Sequence, residues 1–201
     1  ALRANRGWHM LLNSALNRSR AGADTLGMLE GAWTGRPVVV VGAGPSLDRN
    51  IRDLIPARAT VRLVACDGAL GTLARHDLAP DLIVSTDDTE KVWRYFARLP
   101  ESFSSIPVAC VLQSAWPVVR HHAGPILFGR GQSPGELLLA EDFPVFDSGL
   151  CVGHAAFEAA LLSGGSPLIL IGFDLGYAGD RFHPEDMAVP YYHENPPPKS
   201  N

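Results

Sequence analysis

Four valines, Val38 to Val41, run directly into Gly42-Ala43-Gly44-Pro45-Ser46-Leu47. The glycines permit a tight turn and a close approach of backbone to a ligand, and Pro45 suits the first turn of a helix. Such a loop offers free N–H groups and the positive end of a helix dipole, which together make a seat for phosphate. Gly42, Gly44, Pro45 and Ser46 are therefore candidate phosphate-binding residues. The third glycine of a dinucleotide fingerprint would fall at position 47, which is leucine, so NAD and FAD are disfavoured. No Gly-Lys-Ser/Thr follows, so the loop is not a P-loop. A tight turn without a ligand is the competing reading.

Acidic residues recur at matching places. Asp67 with Gly68, Asp87 with Asp88, and Asp174 each follow an apolar run that reads as a strand. Carboxylates beside a phosphate site hold Mg²⁺ or accept hydrogen bonds from ribose and base. Two adjacent acids tolerate each other best around a cation, which makes Asp87 and Asp88 the metal candidates. Asp67, Gly68 and Asp174 read as nucleotide-contacting positions. Any one of these aspartates is equally well a turn or cap residue. Two histidines complete the set. His154 opens a helical stretch, where the neutral imidazole that can act as a base is favoured, and His183 follows the last strand. Both are candidate catalytic groups, whereas His121-His122 reads as a solvated turn.

The elements that must position these groups alternate regularly. Leu2 to Glu30 is helical in composition, with Trp8, Leu11, Leu12, Ala15 and Leu16 at helical spacing and Arg6, Asn13, Asn17 and Arg20 on the polar side. It is either a helix packed on the core or a connector to another domain. Strands are expected at 38–41, 61–66, 82–85, 108–112, 126–128 and 168–171, with helices at 47–55, 69–76, 90–99 and 153–163. This order predicts an α/β, Rossmann-like parallel sheet with helices on both faces. In such a sheet the carboxyl ends of the strands share one edge, and ligands bind outside it. The expected division is a helical segment over 1–35, one core domain over 36–190 and a proline-rich tail over 191–201.

The bulk numbers fit a soluble domain: 201 residues, 46% hydrophobic, 19% charged, net charge −4. The acidic balance argues against nucleic acid as a partner. No apolar run approaches the ~20 residues of a membrane span, and no signal peptide is visible. Cys66, Cys110 and Cys151 read as reduced thiols, which points to the cytoplasm. A first residue other than methionine leaves room for a neighbouring domain.

Three blocks carry a family resemblance: Gly42-Ala43-Gly44-Pro45-Ser46-Leu47, Ala65-Cys66-Asp67-Gly68-Ala69 and Pro80-Asp81-Leu82-Ile83-Val84-Ser85. They resemble the MptE-like family, which holds 6-hydroxymethylpterin diphosphokinases and motility-associated (Maf) glycosyltransferases. Gly153-His154-Ala155-Ala156-Phe157, the run from Leu168 to Leu175 and His183 look more like the Maf branch. That resemblance implies transfer of a nonulosonic acid, a relative of sialic acid, from its CMP-activated form to a protein hydroxyl such as that of flagellin. The diphosphokinase branch implies ATP, a pterin alcohol and Mg²⁺, and a Thr-Asp-Leu-Asp-Gly signature. Here the position reads Ser85-Thr86-Asp87-Asp88-Thr89, a departure that counts against it. A nucleotide-binding module without catalysis is the third expectation. The sequence leaves donor, acceptor and assembly state open.

Overall fold

The valine run forms β1 (Val38–Val41), with all four side chains buried. Side chains alternate along a strand, so Val39 and Val41 enter one core and Val38 and Val40 the other. The computed structural model describes residues 2–147, 149, 151–176 and 183. It adds β2 (Arg62–Cys66), β3 (Leu82–Val84), β4 (Val108–Val111), β5 (Ile126–Gly129) and β6 (Leu168–Ile171). The strand order is β5-β4-β3-β2-β1-β6, and every neighbouring pair is parallel.

Helices cover both faces. On one, α2 (Leu47–Ala57), α3 (Leu70–Arg75), α4 (Trp93–Phe96) and α5 (Trp116–His121) contribute Leu47, Ile51, Leu54, Leu70, Leu73, Phe96 and Val118. On the other, α7 (Val152–Leu162) lays Ala155, Ala156, Ala159 and Ala160 on the sheet, all fully buried. Side chains this small let the helix axis come close. The expected parallel sheet with helices on both faces is what forms.

The chain works outward from β1 to β5 on one side and then returns to set β6 against the other edge of β1. Strand order therefore reverses between β1 and β6, which opens a crevice outside their carboxyl ends.

Four expectations need correction. The N-terminal helix, α1 (Leu2–Arg20), stops well before Glu30 and is followed by a 3₁₀ turn at Leu26–Leu29. Thr25 pairs with Phe128 beside β5, an extended contact that a helix could not make. The expected helix over 90–99 divides into a 3₁₀ turn, Glu90–Val92, and the single turn α4. Two short helices, α5 and α6 (Pro134–Leu139), form outside the four helical stretches expected after β1. Finally, His122 is half-buried rather than solvated: its Nε2 lies 2.7 Å from the Ile106 carbonyl and its ring meets Phe96 edge-on. Burial holds its pKa below the ordinary histidine value.

α1 packs on the domain, and it does so through its polar stripe. Asn13 Nδ2 donates to the carbonyls of Asp88 (2.9 Å) and Gln113 (3.1 Å). Asn17 Nδ2 donates to those of Leu112 (2.7 Å) and Ser114 (2.8 Å). Four residues apart, the two amides share one helix face. They satisfy carbonyls beyond the strand ends, where no ladder partner exists. Trp8 and Leu12 turn outward, 72% and 57% exposed. The tail expected over 191–201 lies outside the described residues.

Candidate functional site

Gly42 and Gly44 tie the end of β1 to the end of β6. Gly42 N–H donates to the Ile171 carbonyl and Gly44 N–H to the Gly172 carbonyl, both at 2.8 Å. A Cβ on Gly42 would stand 2.5 Å from the Gly172 oxygen and 3.0 Å from the Phe173 ring. The glycine requirement is met here by close approach of two backbones.

The seat expected for phosphate has an occupant from the chain itself. Asp174 Oδ2 accepts the Ser46 N–H at 3.1 Å and the Ser46 hydroxyl at 2.8 Å. A Cβ on Gly44 would collide with that same oxygen. Asp174 thus caps α2 as an anion at the positive end of the helix. Gly42, Gly44, Pro45 and Ser46, which are expected to hold phosphate together with Asp174, are thus gathered around that carboxylate. A carboxylate at the helix start repels a second anion.

His183 joins this corner. Its Nδ1 lies 2.9 Å from the Ala43 carbonyl, and a carbonyl only accepts, so Nδ1 carries the proton. In the neutral ring Nε2 then holds the lone pair. Partial burial lowers the pKa of the imidazole, against a smaller opposing pull from that carbonyl.

The start of α7 closes the other side of the crevice. A Cβ on Gly153 would stand 3.0 Å from the Phe173 ring, which also faces Gly42, so one aromatic ring separates the two loops. His154 is exposed on the first turn, with Nδ1 3.7 Å from the exposed Cys151 Sγ. A Cβ on Gly149, at φ +54°, would stand 2.7 Å from Nδ1 of the same imidazole.

Asp67 lies along the same edge but faces inward. Only 5% exposed, it accepts the Gly68 N–H and the Ser85 hydroxyl, both at 2.7 Å. Burial pushes its pKa up to about 6, with a smaller contribution from the charge of Asp87. Gly68 is buried too, so both residues expected to contact a nucleotide are packed into the domain.

The adjacent acids part company. Asp87 is exposed, and its Oδ1 accepts the Thr89 N–H at 2.9 Å. Asp88, 4% exposed, is gripped by Arg6 through Nη2 at 2.8 Å and Nε at 3.3 Å. The expected Mg²⁺ pair does not fit this geometry, because a guanidinium already neutralises one of the two carboxylates. Among the described residues, no group of three or more His, Cys, Asp or Glu is arranged to hold a metal ion.

Ser46, Asp67, Asp87 and Asp174 all follow the carboxyl ends of parallel strands and line one edge. Gly42 to Ser46, Asp174, His183 and His154 gather at the β1/β6 crevice, and Asp88 belongs to the docking of α1. A cavity of about 430 Å³ between Trp33, Arg62, Asp81 and Leu127 lies at the opposite edge and contains none of these residues. Sequence reasoning missed the Ser85–Asp67 contact, the exposed thiol of Cys151 and the anchoring role of Asn13 and Asn17. The spacing of the two asparagines was the visible signal for the last.

Fold and site together define a doubly wound α/β domain whose polar loops converge at the topological switch point. The chain belongs to the 6-hydroxymethylpterin diphosphokinase MptE-like family, whose model matches residues 9–180. Its fold is similar to that of a Maf glycosyltransferase from Magnetospirillum magneticum AMB-1, with a TM-score of 0.72 and 24% sequence identity. That match covers 86% of this chain and 28% of the other, so the chain spans little more than a quarter of the longer protein. No curated protein matches it in sequence. Among the described residues, no helix is long and apolar enough to cross a membrane.

Proposed function

We propose that the chain is a nucleotide-dependent transferase of the glycosyltransferase kind, with a CMP-activated nonulosonic acid as donor and a hydroxyl group, such as one on a protein like flagellin, as acceptor. The supporting observation is the crevice where strand order reverses, with His183 hydrogen-bonded to the glycine-rich loop and His154 on the first turn of α7. Of the two helix starts there, that of α2 is capped by Asp174, so the phosphate lies toward the first turn of α7. His183 Nε2 takes the proton of the acceptor hydroxyl. The acceptor oxygen bonds to the anomeric carbon of the sugar, the carbon–oxygen bond to phosphate breaks, and CMP leaves with the electron pair. A base contributes about 10²–10⁴-fold to such a step. The leaving group is already good, so positioning accounts for most of the remainder.

The family description favours one second reading, an ATP-dependent diphosphokinase acting on a pterin alcohol. Calorimetric titration with CMP, ATP and a pterin, each with and without Mg²⁺, separates the two. CMP binding that ignores the metal is the expected result. ATP binding that requires Mg²⁺, with no binding of CMP, overturns the first reading in favour of the second. Binding of either nucleotide without turnover of any donor reduces the chain to a nucleotide-binding module. In a transfer assay, His183→Ala lowers kcat by about 10²–10⁴-fold. Because burial lowers the pKa of His183, the unprotonated base persists to more acidic pH than for an ordinary histidine. The acid limb of the rate profile accordingly falls below the usual histidine range.

A further inference from the structure

The carboxylate of Asp174 is held by one oxygen only. Oδ2 takes both the N–H and the hydroxyl of Ser46, while Oδ1 has no hydrogen-bond partner among the described residues and the side chain is exposed. The orientation of this group is fixed from behind. Gly44 leaves room for it only because position 44 lacks a Cβ, and the Gly172 carbonyl closes the loop beside it. A fixed, exposed carboxylate oxygen at the mouth of the crevice accepts hydrogen bonds. It attracts hydroxyls and ammonium groups and repels phosphate.

On the reading of this crevice as a nucleotide site, we propose that Asp174 is the receptor for a vicinal diol, the ribose 2′- and 3′-hydroxyls of the nucleotide, and sets specificity for ribonucleotides. The glycine-rich loop then acts as the mount for that carboxylate. Ser46 is the positioning residue, since it fixes Oδ2 and thereby aims Oδ1. The phosphate sits elsewhere in the crevice.

The test is a set of titrations of the full chain with CMP, 2′,3′-dideoxy-CMP and inorganic phosphate, repeated on Asp174→Asn and Asp174→Ala. The dideoxy ligand on the unaltered protein needs no variant and so does not depend on folding, which thermal melting checks for the other two. Loss of hydrogen bonds to a charged acceptor weakens CMP by about 10- to 100-fold. The same loss is expected from removing the diol, from Asp174→Ala, and from both together, because each deletes one side of a single contact. Asp174→Asn loses most of the affinity as well. Equal binding of CMP and its dideoxy form to the unaltered protein overturns the proposal. So does a gain in affinity for CMP or inorganic phosphate in Asp174→Ala, because the carboxylate would then be filling a phosphate seat. In both of those outcomes CMP still binds, so the nucleotide reading survives. Failure of the unaltered chain to bind either CMP or ATP defeats that reading, and this proposal with it.

Discussion

At position 44 a single hydrogen atom separates the backbone from the carboxylate of Asp174. Gly44→Ala would drive a methyl group into Asp174 Oδ2 and to within 2.7 Å of the Gly172 carbonyl. Overpacking of this kind costs about 1–3 kcal/mol. We expect Gly44→Ala to lower stability by that amount in urea unfolding. Adding Asp174→Ala should restore only part of it, because the backbone carbonyl remains in place. Full restoration would show that the carboxylate alone demands the glycine. The signature Gly42-Ala43-Gly44-Pro45-Ser46 was thus legible as a site of close approach, but the approaching group was not. Asp174 lies 128 residues beyond Ser46, and no local pattern links the two.

Among the elements, α1 reverses the usual logic of an amphipathic helix. Its apolar residues Trp8 and Leu12 face solvent, whereas Asn13 and Asn17 are buried. The cause is the surface on which it docks, a row of carbonyls at 88 and 112–114 that require donors. Stranding a buried acceptor costs about 1–3 kcal/mol, and Asn17 serves two. Asn17→Ala should therefore destabilise the chain by about 2–4 kcal/mol, measured as a shift in the urea midpoint. Leu12→Ser, on the exposed side, should move it by less than about 0.5 kcal/mol. Equal effects would mean that the apolar face carries the docking. The short helix α6 also had a readable origin: Ser133 and Glu136 form a capping box, visible in the sequence as a serine followed three residues later by glutamate.

For the molecule as a whole, the carboxyl edge is joined by a chain of hydrogen bonds running across the sheet. The Ser85 hydroxyl donates to Asp67, the Ser114 hydroxyl to the Ser85 carbonyl at 3.0 Å, and Asn17 to the Ser114 carbonyl. Asp67 makes global stability depend on pH. Its pKa is raised by burial from 3.8 to about 6 in the native state, so between those values the native chain holds a proton that the unfolded chain has lost. Stability from this group is complete below about pH 4 and declines as pH rises through 6, by about 3 kcal/mol in total. Asp67→Asn should flatten that decline when unfolding is followed from pH 4 to 7. An unchanged slope would show that Asp67 is ionised in the native chain well below pH 6.

Local chemistry determined much of this protein. The β-branched runs became the strands, their alternation with helical segments became a parallel sheet covered on both faces, and polar residues after four of the strands marked one shared edge. Those features depend on side-chain type and short-range spacing, which a sequence displays directly. Tertiary packing decided how the carboxylates along that edge are used. Asp67 turned inward to Ser85, Asp88 was paired with Arg6 from α1, and Asp174 was held through one oxygen by Ser46. Each outcome depends on a partner 18 to 128 residues away. The position of that partner is fixed only when β6 closes against β1 and α1 settles on the strand ends.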